Sequence, residues 1–75
     1  MDNFKTELIT DLVPRVKEML NKEREHLRFL VNARTEFYKK NLPLREINEM
    51  IDCSESMIKH YEVRIKQYTE YAKNH

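Results

Sequence analysis

A chain of 75 residues, read as the single domain 1 to 75, leaves much of its surface in water, so its core stays thin unless a staple or a partner completes it. Cys53 is the only cysteine, which excludes an intrachain disulfide; 14 basic against 13 acidic residues give a net charge of +1, which excludes a protein held on nucleic acid mainly by charge. With no glycine and only two prolines, the composition lacks hairpin turns and phosphate loops and predicts an all-α chain.

The first element in chain order is amphipathic. Over residues 3 to 13, Phe4, Leu8 and Leu12 recur on one face, with Ile9 and Val13 close by. Pro14 then either kinks this helix into the next or opens a new helix behind an Asp11 cap, and the pattern accommodates both. From about 15 to 40, Val16, Leu20, Leu27, Leu30 and Phe37 continue from Val13 at steps that build one helical seam. Glu23 and Arg34 hold the two intervening seam positions, where each needs a partner or an outlet to solvent.

The segment KKNLP separates the two long arms. Two lysines suit a helix carboxyl end, Asn41 suits a left-handed cap, and Pro43 disfavours helix at Leu42 while fitting the first turn of the next helix. Residues 43 to 73 carry the clearest period. Leu44, Ile47, Ile51, Ser54, Ile58, Tyr61, Ile65, Tyr68 and Ala72 alternate in steps of three and four, with Ser54 the polar member. Met50, Met57 and Tyr71 lie beside that seam and widen it into a stripe.

These readings predict an antiparallel helical hairpin, about 15 to 40 and 43 to 73, with a short amino-terminal helix over about 3 to 13. Folding about 41 to 43 sets Leu30 against Ile51, Leu27 against Ser54, Leu20 against Tyr61, Val16 against Ile65 and Val13 against Tyr68.

Within NLPLREINEMIDCSESMIKHYEVRIKQY, residues 41 to 68, Leu44, Glu46, Ile47, Met50, Ile51, Ser54, Ile58 and Tyr61 fall at apolar, turn and cap positions. In this the segment resembles the helix-turn-helix of sigma-factor region 4 and LuxR-type regulators. The resemblance implies a bend at 52 to 54, with Ser54 capping a recognition helix and Glu55, Lys59, His60 and Arg64 facing DNA. Asn48 and Asp52 depart from it, standing where that family favours alanine and glycine.

No catalytic constellation emerges. Cys53 and His60 share a helical face and His26 comes near them in the expected register, but a third ligand or an orienting carboxylate is missing, so no metal and no cofactor is expected. Lys22, Arg24 and Arg28 in KEREHLR read as part of a solvated face. Phe29, Val31, Met50, Met57, Val63 and Tyr71 lie outside the narrow seam and form the candidate protein-binding set. No apolar run reaches the ~18 residues that span a bilayer, and MDNFKTELITD lacks the features of a signal peptide. The expectation is a cytoplasmic, non-enzymatic interaction protein that binds a protein partner or itself, as an inhibitor, adaptor or chaperone would. A small DNA-binding regulator is the second reading.

Overall fold

A computed structural model describes residues 3 to 74, which form two long helical arms joined by one tight turn. The first arm runs through α1 (Asn3–Glu7), a π-helical turn (Leu8–Leu12) and α2 (Val13–Lys39); the second is α3 (Arg45–Asn74). The arms lie antiparallel and give a rod of 60 × 14 × 12 Å.

The amino-terminal element is helical as expected, but Pro14 neither breaks the chain's helical course nor follows an Asp11 cap. The Asp11 carboxylate instead accepts a bond from Arg15 Nε at 2.8 Å. Proline lacks an N–H and its ring crowds the carbonyl four residues back, so a widened turn before it relieves the clash. The Val13 N–H bonds to the Leu8 carbonyl across five residues, and Thr10 Oγ1 donates to the Thr6 carbonyl at 2.8 Å. The extra residue in this turn also resets the seam. Leu8 is 2% exposed whereas its neighbour Ile9 is 44% exposed, so the five-residue step from Leu8 to Val13 keeps the stripe on the α3 side.

At the other end the first arm closes in a Schellman motif. Asn41 takes φ 57°, the left-handed conformation expected of it. The Leu42 N–H bonds to the Phe37 carbonyl at 2.9 Å and the Asn41 N–H to the Tyr38 carbonyl at 3.2 Å. Pro43 lies in the turn rather than inside the next helix. That helix starts at Arg45, and the Asn48 N–H bonds to the Leu44 carbonyl at 2.9 Å.

Packing is one layer deep. Near the turn, Leu30, Ile47 and Ile51 form the buried cluster, with Leu27, Ala33, Phe37 and Leu44 packed around it. Toward the open end Leu8, Val13, Val16 and Leu20 are buried, while Tyr61, Ile65, Tyr68 and Ala72 on α3 are only half-buried. The two polar seam positions of the first arm find partners across the hairpin. Ser54, 3% exposed, donates to a Glu23 carboxylate oxygen at 2.7 Å, and Arg34 donates to Asn48 Oδ1 at 3.2 Å. The Ser54 partner is thus Glu23, one turn from the expected Leu27, which joins the apolar cluster instead.

Candidate docking face

Two helices in contact along one seam form a layer with two broad faces, and the residues beside the seam decide the character of each. On one face α2 presents Lys17, Arg24, Val31 and Tyr38 at seven-residue intervals, and α3 presents Asn48, Glu55, Glu62 and Thr69. This is the charged face. Arg24 donates to Glu62 at 3.0 Å across it, beside a shallow hollow lined by Lys17, Leu20, Asn21 and Ile65, and the Arg34–Asn48 bond lies on the same side.

The opposite face has another chemistry. Leu12, Met19, His26 and Ala33 come from the first arm, and Met50, Met57, Arg64 and Tyr71 from α3. A groove of about 560 Å³ runs between the arms here, lined by Glu23, His26, Glu46, Glu49, Met50, Cys53, Ser54 and Met57. A smaller hollow beside it is lined by Met19, Lys22, Glu23, His26 and Tyr61. At the open end Tyr71 meets Phe4 edge to face, with ring centroids 5.9 Å apart and planes at 73°. Leu12, Met19, Met50, Met57 and Tyr71 are between 38% and 49% exposed, so the stripe is a surface and not a second core. We call it the methionine face.

Of the residues singled out from sequence, Met50, Met57 and Tyr71 fall on this face, and Phe29 stands one step outward from His26 and Ala33 at its rim. Val31 belongs to the charged face, and Val63 points away from the first arm on the back of α3; both are exposed and neither joins the others. Met19 and Leu12 were missed. Their signal was present as the repeat Leu12, Met19, His26, Ala33, which runs beside the α2 seam as Met50, Met57, Arg64, Tyr71 runs beside that of α3.

The bend at 52 to 54 implied by the helix-turn-helix resemblance is absent, because α3 is continuous from Arg45 to Asn74. Ser54 caps nothing; it sits inside the seam, bonded to Glu23. At 100° per residue, Glu55 and Lys59 lie toward the charged face while His60 and Arg64 lie toward the methionine face, so these four do not form one reading edge. Cys53 is an exposed free thiol in the groove. Among the described residues, no three His, Cys, Asp or Glu side chains come together as a metal site, and no buried polar side-chain atom lacks a hydrogen bond. Among the same residues, no helix is long and apolar enough to cross a membrane.

Along the methionine face Glu36, Glu46 and Glu49 lie near the turn and Arg15, Lys22 and Arg64 toward the open end, with Glu23 in the groove between them. Four of these charges also hold an exposed ion pair within their own helix: Arg15 with Asp11, Lys22 with Glu18, Glu36 with Lys39 and Glu49 with Arg45. Searches against protein-family models, curated proteins and solved structures return no match for this chain.

Proposed function

We propose that this chain is a non-catalytic interaction protein of the cytoplasm, whose hairpin docks on protein through its methionine face. The observation that carries this reading is the asymmetry of the two faces. One is bridged by a cross-arm ion pair and has Val31 and Tyr38 as its exposed apolar members, while the other, flanked by charges of both signs, keeps Leu12, Met19, Met50, Met57 and Tyr71 in water along most of the rod. Methionine is unbranched and polarizable, so a face built on it adapts to an apolar partner surface at little strain. A single exposed thiol suits a reducing compartment. Helix-on-helix bundle completion is the recognition mode that such a face supports, and it serves an inhibitor, an adaptor or a chaperone equally well.

The test is a double substitution, Met50→Lys with Met57→Lys, in tagged protein expressed in its native host. Neither side chain belongs to the buried cluster, so the helical circular-dichroism spectrum stays as in the parent chain. Native mass spectrometry of the recovered protein then shows loss of whatever assembly the parent forms. An assembly that survives the double substitution refutes docking through this face.

A further inference from the structure

We propose that the occupant of the methionine face is a second copy of this chain, packed in reverse direction to give a two-fold four-helix bundle; this rests on the docking reading above and names its partner. Three observations carry it. The first is the pattern. A helix that meets one neighbour needs two apolar positions in seven, whereas a helix in a bundle adds a third beside them. On each arm three of the four such positions are apolar, and both series lie on the same face: Leu12, Met19 and Ala33 with His26 on the first, and Met50, Met57 and Tyr71 with Arg64 on the second, Ala33 also packing on the buried cluster. Each arm is therefore patterned for a bundle of which one chain supplies half.

The second observation is spacing. The Glu23–Ser54 bond and the Arg24–Glu62 ion pair tie the arms together near the level at which His26 and Met57 face the groove from opposite arms. Met50 stands seven residues from Met57 toward the turn, and Met19 stands seven residues from His26 toward the open end, about 10 Å either way at 1.5 Å per residue. A two-fold axis crossing the rod at the His26–Met57 level therefore puts Met50 of one copy in the same layer as Met19 of the other. It closes the central layer on Met57 and His26 from both copies.

Charge is the third. The same axis brings Glu46, eleven residues from Met57 toward the turn, level with Arg15, eleven residues from His26 toward the open end. Glu46 of each copy then meets Arg15 of the other, a self-complementary pairing of the kind an isologous interface uses, in which Arg15 bridges its own Asp11 and the second copy's Glu46. A bundle with both turns at one end would instead set Glu36 and Glu46 against their own copies. A partner of one charge sign would match only half of the face. A footprint of 60 by 14 Å offers on the order of 800 Å² per copy, the size that specific and stable interfaces bury.

The experiment uses the full chain at micromolar concentration. Sedimentation equilibrium should return twice the 9.2 kDa chain mass. In a Cys53→Ser background, Met57→Cys should form an interchain disulfide on mild oxidation, and Val63→Cys, on the back of α3, should not. Arg15→Glu should raise the dissociation constant roughly fivefold, and adding Glu46→Arg should restore it. A monomer at these concentrations overturns the proposal, as does cross-linking at position 63 in preference to 57. A monomer whose complex with another host protein is lost with Met50→Lys and Met57→Lys overturns the second-copy assignment and leaves docking through this face standing. A monomer with no complex sensitive to those substitutions refutes both.

Discussion

The Ser54–Glu23 pair allows the hairpin's seam to be tested with two substitutions and their combination. Ser54 is 3% exposed and gives its hydroxyl proton to a Glu23 carboxylate at 2.7 Å, while the Glu23 side chain retains 21% exposure and also contacts His26 Nδ1 at 3.3 Å. A hydrogen bond to a charged group contributes about 1.5–3 kcal/mol. Because Glu23 keeps some water and the imidazole, Ser54→Ala should sit at the low end of that range, about 1.5 kcal/mol destabilising. Glu23→Leu alone strands a buried hydroxyl and should also cost about 1 kcal/mol. Together they convert a polar layer into an apolar one, and such replacements are often neutral or stabilising. The double variant should therefore be at least as stable as the parent, giving a coupling of about 2 kcal/mol or more. Urea unfolding followed by circular dichroism, at fixed chain concentration, measures all four corners of the cycle. If the two single losses simply add in the double variant, the bond does not hold the arms together and the account of the seam is wrong.

Leu30→Ala removes the 2%-exposed centre of the buried cluster near the turn and should cost about 3 kcal/mol, enough to unfold much of so small a chain at 37 °C; a melting curve reads it. Asn41 holds φ 57°, so Asn41→Gly should stabilise by up to about 1 kcal/mol and Asn41→Val destabilise by about 1–2 kcal/mol, measured by the same urea titration. With Cys53 replaced by serine, cysteines at 30 and 51 should form an intrachain disulfide, because both native side chains share one cluster; cross-linking of 30 to the next turn in preference would shift the register. Pro14→Ala should let the Leu8–Leu12 turn tighten toward α-helix and loosen Leu8 from the seam, visible as faster amide exchange over residues 4 to 10.

The parts of this fold that were legible in the sequence are those set by long, regular periodicity. The seam of α3 repeats through four heptads without a phase change, and an uninterrupted phase is what a helix without a bend at 52 to 54 requires. Asn41 and Pro43 announced the turn because their backbone preferences are strong and local. The π turn was hidden. Leu8 and Ile9 are adjacent and equally apolar, so composition alone does not say which meets α3; only the steric demand of Pro14 and the contact with the other arm decide it. The Glu23–Ser54 bond was hidden because the heptad pattern leaves open which of two successive seam residues, Glu23 or Leu27, the Ser54 hydroxyl reaches.

The docking surface was half legible. Met50, Met57 and Tyr71 stood out beside a strong seam, whereas Met19 and Leu12 flank a weaker one interrupted by Glu23 and Arg34. Phe29, Val31 and Val63 were grouped with them because all lie off the seam, yet an off-seam residue can face any of three directions, and only the pairing of the arms separates those directions.

Oxidation footprinting of Met19, Met50 and Met57 tests the central claim most directly. Dilute hydrogen peroxide is applied to the protein at its working concentration and again after dilution, and each sulfoxide is followed by peptide mass spectrometry. The account predicts that all three react slowly together in the concentrated, assembled protein and speed up together on dilution. Rates equal to that of free methionine at every concentration would contradict it, because they would mean that nothing covers this face.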